Sequence, residues 1–164
     1  MFGRRIGQLI VVIALVVVAA APASAGTGVR KHAEVTKGAF LTLSGGVDLG
    51  YEVEGRAVMV RVPWRHGRTV VAVHVRGLDP QTVYPAHVHN APCSADPPGG
   101  SHYQHEVGGA VDDVNEIWPA VTTNAAGNGR SWATHGHWAR PDAQSIVIHY
   151  PADTSIRLAC ADLS

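Results

Sequence analysis

The chain has 164 residues, 46% of them hydrophobic, with 13 basic side chains against 13 acidic ones and no formal net charge. That length suits one domain with a real core, and the charge balance lacks the basic excess of a nucleic-acid binder. The first element reads as an export signal. Arg4 and Arg5 form a basic leading region, Leu9 to Ala21 is an uninterrupted apolar run, and Ala23-Ser24-Ala25 is a small-residue cleavage motif. Cleavage is therefore expected after Ala25, giving a signal peptide over 1–25. The apolar run is short for a membrane span, which needs about 20 residues; an uncleaved anchor is the alternative. The Arg4-Arg5 pair hints at a twin-arginine route, and no cysteine near the cleavage site argues for a lipoprotein. The mature chain keeps 11 basic side chains against the 13 acidic ones, a net charge of −2. It is expected to be secreted, periplasmic or in the cell envelope, with no stable membrane span.

Residues 26–31 read as a flexible leader and 32–164 as one domain. Short β-rich runs then alternate with turn residues, which favours an antiparallel sandwich or barrel. Phe40 to Leu43 leads into a turn at Ser44-Gly45-Gly46. Ala57 to Val62 and Thr69 to Val75 read as strands, and Gly77-Leu78-Asp79-Pro80 turns the chain. Ala86 to His89 is a short strand. Arg130 to Trp138, Ser145 to Tyr150 and Ile156 to Leu163 follow as strands. No segment carries a long helical stripe. The stretch from Ala91 to Ala126 lacks a clear pattern and is rich in Pro, Gly, Asp and His. A loop this long in a compact domain is usually functional or disordered. It holds Cys93, His102, His105, Glu106, Asp113 and Glu116, so it reads as a site loop.

Export places the two cysteines, Cys93 and Cys160, in an oxidising compartment, where a single disulfide is the simple expectation. The rival reading is a pair of metal-binding thiolates, although such cysteines usually come closely spaced.

Three separated motifs carry histidines: His87-Val88-His89, Gly100-Ser101-His102-Tyr103 and Val147-Ile148-His149. Residues two apart on a strand share a face, so H-x-H is a chelate by construction. Neutral imidazole is a common metal ligand and suits copper and zinc. A second H-x-H, His135-Gly136-His137, reads first as an exposed strand face. His32, His66 and His74 read as structural, and Trp118, Trp132 and Trp138 as packing residues.

In order and flanks, these motifs resemble the copper/zinc superoxide dismutase family. The shared features are a Gly77-Leu78 turn before the H-x-H pair, Cys93 in the loop, His102 after Gly100 and an apolar strand ending in His149. The chain then ends in Arg157-Leu158-Ala159-Cys160. The matches run from about Val70 to the C-terminus. The resemblance implies copper ligands at His87, His89, His102 and His149, with His102 where the family bridges copper and zinc. It implies that Arg157 attracts and orients superoxide, as a permanent charge with a fork of donors can. It also implies a Cys93–Cys160 disulfide tying the site loop to the last strand.

The chain departs from the family twice. After His102 the loop offers only His105 before Glu116, with Asp112 and Asp113 as nearby acids. These do not reproduce the family's zinc set, so zinc is not expected in the usual place. Only Tyr150 to Ile156 separates His149 from Arg157, so the family's charged steering loop is missing. Both departures resemble the copper-only branch. An acid must then orient the far nitrogen of His102; Glu116 is the first candidate, with Asp113 and Glu106 as alternatives. Together these readings predict an all-β, eight-stranded antiparallel Greek-key barrel or sandwich. They predict a copper-dependent superoxide dismutase, monomeric or weakly dimeric, in which Arg157 and His102 are catalytic. The rival readings are a non-catalytic copper-binding or copper-handling protein on that scaffold and an export domain that binds no metal.

Overall fold

Period-two alternation builds the sheet. In β2 (Glu54–Val62), Ala57, Met59 and Arg61 point inward; in β3 (Arg68–Arg76), Thr69, Val71, Val73 and Val75 do the same. These positions share a face because successive side chains on a strand alternate sides. The computed structural model describes residues 32–63 and 65–164. The expected signal peptide and leader lie outside the described residues.

The remaining elements are β1 (Glu34–Thr42), a short helix α1 (Ser44–Asp48), β4 (Val83–Tyr84), β5 (Ala86–His89), β6 (Val121–Thr122), β7 (Gly129–His135), β8 (Ser145–Tyr150) and β9 (Asp153–Asp162). Seven strands form one antiparallel sheet in the order β5-β8-β9-β1-β2-β3-β7. β4 and β6 pair separately as a two-stranded ribbon. The sheet curls into a half-barrel. No helix among the described residues is long and apolar enough to cross a membrane.

The all-β expectation holds, but the strand inventory differs from eight. Val83-Tyr84 and Val121-Thr122 are too short to show a pattern of their own and pair only because the chain brings them together. The expected turn at Ser44-Gly45-Gly46 opens the helix α1. The strand expected over Arg130 to Trp138 ends at His135. Trp132, expected to pack, is 77% exposed on the outer face, because it alternates with the buried side of β7.

Phe40, Met59, Val71, Val73, Val88, Ile146, Ile148, Leu158 and Tyr103 line one continuous core. Each fully buried aliphatic side chain contributes about 1.5–3 kcal/mol. Arg61 is charged yet only 3% exposed. Its Nε donates to the Ala139 carbonyl at 3.0 Å, one terminal nitrogen donates to the Ala143 carbonyl at 3.3 Å, and the other meets Glu34 at 2.9 Å. One guanidinium thereby ties β2 to the segment that leads into β8.

Cys93 and Cys160 form a disulfide across 67 residues of sequence, and there are no free cysteines. It clips the loop after β5 to the buried part of β9, and the Cys93 amide also donates to Asp162 at 2.7 Å. Loop-closure entropy for such a span amounts to about 4 kcal/mol before strain. A Cys93→Ser/Cys160→Ser variant should therefore lose up to about 4 kcal/mol of unfolding free energy in urea titration; an unchanged midpoint would show that the clip adds nothing to stability.

Candidate metal centre

The loop that follows β5 folds back over the sheet instead of leaving it. His102 bridges to His89 in antiparallel fashion. The Tyr103 amide donates to the Val88 carbonyl at 2.8 Å, and the Asn90 amide to the Ser101 carbonyl at 2.9 Å. Tyr103 is fully buried in the core. Gly99 lies so close to β8 that a Cβ there would come within 2.7 Å of the Val147 side chain, and its φ of +84° also favours glycine. This explains why every residue from Ser145 to His149 is buried: one face of β8 meets the core and the other meets the loop.

Four histidines converge under that cover. β5 sets His87 opposite Val147 and His89 opposite Ser145, while Val88, opposite Ile146, enters the core. His149 lies farther along β8, where a register shift relieves the pairing with β9. With His102 from the loop, one ligand atom from each of the four imidazoles falls within 4.8 Å of all the others. It is the one such group among the described residues, and it can hold a metal ion.

Hydrogen bonds assign which nitrogen each ring offers. His149 Nδ1 is 2.7 Å from the Thr154 carbonyl and His89 Nδ1 is 3.3 Å from the Gly100 carbonyl. A carbonyl only accepts, so both protons sit on Nδ1 and both Nε2 atoms carry lone pairs. Those two Nε2 atoms face each other at 3.2 Å. Two neutral acceptors at that distance have no proton to share, and a cation between them resolves the conflict. His102 Nδ1 meets Glu116 at 2.7 Å, which leaves its Nε2 for a metal. His87 Nδ1 is buried without a partner. The donor set is therefore Nδ1 of His87 and Nε2 of His89, His102 and His149, all imidazole nitrogens of the kind that suit copper or zinc.

Electrostatics keep these rings ready to bind. Burial, followed by repulsion from neighbouring imidazoles, lowers His87 to about 3 and His89 to about 2. Burial likewise lowers His149 to about 4, against the opposing hydrogen bond to Thr154. Neutral rings are the form that ligates.

Of the three acids that the sequence offers for His102, only Glu116 reaches it; Glu106 and Asp113 are exposed. Glu116 is 1% exposed. Burial pushes its carboxyl up, but hydrogen bonds from Trp118, Gln104 and His102 outweigh that and hold it below the usual range. Trp118, expected only to pack, belongs to the site. Its indole N–H donates to Glu116 at 2.8 Å, and its ring meets His87 edge-on at 5.7 Å. The only sequence signal for that role is its place two residues after Glu116.

Arg157 pairs across β8–β9 with His149. Its guanidinium donates to the Pro98 carbonyl and, at 2.8 Å, to the Gly100 carbonyl that also faces His89. A cleft of about 540 Å³ reaches His102 and Glu116. Another cleft, about 1080 Å³, is lined by residues of β2, β3 and β7 and includes none of the four histidines. His32, His66 and His74 are exposed and stand apart from the cluster. His105, His135 and His137 come together elsewhere. No protein-family model and no curated protein matches the chain.

Glu116→Gln should weaken metal binding about 10- to 100-fold, because acids that orient metal-bound imidazoles contribute on that scale; competition titration against a chelator measures it. In the metal-free protein, the depressed imidazoles stay neutral while those of the unfolded chain take protons below about pH 6.5. The unfolded state then binds more protons, so stability should fall as pH drops from about 6.5 toward 4. Thermal melts of metal-free protein should show this slope, and a His87→Gln/His149→Gln variant should flatten it.

Proposed function

We propose that the protein is an exported, copper-dependent superoxide dismutase of the copper-only kind. One observation carries the reading: one ligand nitrogen from each of four imidazoles lies within 4.8 Å of all the others, while Arg157 pairs with one of them across adjacent strands. The antiparallel half-barrel is compatible with the Greek-key barrel of that family. The disulfide is compatible with an exported protein.

When bound, copper supplies a one-electron couple: one superoxide is oxidised to oxygen, and a second, with two protons, is reduced to hydrogen peroxide. The chain's own residues do the rest. Arg157 spends two donors on the loop carbonyls of Pro98 and Gly100, leaving further N–H groups for a small anion. Its positive charge draws that anion in, a role that matters more without a charged steering loop. Glu116 holds the Nδ1 proton of His102 and fixes the ring's tautomer. The His102 side chain is 32% exposed, so it is placed to exchange a proton with solvent. Glu116 takes the role that zinc has in the two-metal members of the family.

The second reading is a copper-binding or copper-handling protein. It is favoured by the solvent-reachable edge of His102 and by the short Tyr150 to Ile156 link in place of a steering loop.

The deciding experiment is superoxide disproportionation by the chain from residue 26 onward, loaded with copper alone. Turnover without zinc, abolished in His149→Ala and lowered about tenfold or more in Arg157→Ala, is the expected result. Tight copper binding without turnover would replace this reading with the copper-handling one.

A further inference from the structure

A second histidine cluster lies away from the four-histidine centre and shares no residue with it. His135 ends β7, and His137 follows after Gly136, whose side-chain position is open space. The bend after His135 brings the two imidazoles together, and the loop brings His105 against them. The His105 and His137 rings stack with centroids 3.9 Å apart and planes 16° apart. His135 lies 5.1 Å from His137 and 5.7 Å from His105, centroid to centroid.

Two of these rings carry buried nitrogens that no described residue satisfies. His135 is 2% exposed, and its Nε2 donates to the Val114 carbonyl at 2.7 Å. That bond places the proton on Nε2; Nδ1 is buried near the His137 backbone and makes no hydrogen bond of good geometry. His105 Nδ1 is also buried without a partner. A buried acceptor without a donor is costly, and such atoms commonly mark the place of a water or an ion. A cavity of about 180 Å³ opens beside them, lined by His105, His137 and two carboxylate residues, Glu106 and Asp112. The nearby Arg140 does not oppose a cation with its full charge, because it pairs with Asp142 at 2.8 Å. Burial also lowers the titration of His105 and His135, so both rings are in the neutral form that ligates.

We infer that His105, His135 and His137 form a second metal site for a divalent cation of the zinc class. Three neutral imidazoles with a carboxylate or water as fourth partner match what such ions take. The ring nitrogens are spread more widely here than in the four-histidine centre, so an ion draws His137 out of its stack on His105 as it binds. His137 is half-buried. The bound ion links the loop to β7 through His105, three residues from His102 in the same loop. It stabilises the folded chain by mass action. This inference stands apart from the dismutase proposal and needs no turnover.

The test is zinc content after equilibrium dialysis against Zn²⁺, for the native protein, His137→Gln, His105→Gln and His149→Gln. Both His137→Gln and His105→Gln are expected to hold one ion fewer per chain than the native protein. His149→Gln is expected to keep the ion that those two variants lose. The native protein should also melt at a higher temperature with Zn²⁺, and His137→Gln should lose part of that rise. Equal zinc content in the native protein and in either His137→Gln or His105→Gln would overturn the inference. Because the comparison counts one ion against the native total, it holds whether or not the four-histidine centre takes zinc. Neither variant lies in the buried core, and His105→Gln repeats the test from the loop if His137→Gln folds poorly.

Discussion

The Gly100 carbonyl is the joint on which the metal centre depends. It accepts from Arg157 at 2.8 Å and faces His89 Nδ1 at 3.3 Å. One backbone oxygen thus sets the tautomer of a ring in the four-histidine cluster and anchors the Arg157 guanidinium beside it. The carbonyl is in place because Gly100 adopts a φ of +67° and lies against Asn90 and Ala91, where a Cβ would come within 2.7 Å of either side chain. The loop holds that position because the Cys93–Cys160 bridge ties its start to β9 and the Tyr103 amide ties its middle to β5. Chain entropy, backbone pairing and ring chemistry therefore act on one short stretch.

Burial has opposite consequences for the histidines and for Glu116. The imidazoles lose their solvation and stay neutral, which leaves their lone pairs available. Glu116 also loses solvation, yet it keeps its charge because three side chains donate to it. A buried polar network of this kind is stable only when its members are satisfied. Here Glu116 is satisfied by protein, whereas His87 Nδ1 and the facing Nε2 pair are not. The unsatisfied atoms lie where the four imidazoles can hold an ion.

The same loop serves two clusters. Its first half delivers His102 to β5 and β8, and the residues just beyond deliver His105 to the end of β7. Asn115 holds this second part together, accepting from the Glu106 amide and donating to the Glu106 and Ala110 carbonyls. Glu116 follows directly, so the turn that shapes the surroundings of His105 also sets the position of the acid beside His102.

Local rules determined much of this protein. The period of two on a strand makes a shared face for His87 and His89 legible in the chain itself. Alternating apolar runs mark the long strands, and the reading of an export signal makes pairing of the two cysteines the simple expectation, a pairing that the structure contains. Tertiary structure decided the rest, because those features depend on residues distant in sequence. Nothing local says that Glu116 reaches His102 while Asp113 and Glu106 stay in solvent; packing under Trp118 and Gln104 decides it. Nothing local brings β4 to β6, exposes Trp132, or carries Arg61 to the carbonyls of Ala139 and Ala143. The meeting of His105 with His135 and His137 likewise has no signature in spacing, since 30 residues separate the loop histidine from the strand pair. Sequence supplied the ligand types and their faces; the fold decided which nitrogens meet, because a lone pair's direction depends on the hydrogen bond at the other side of its ring.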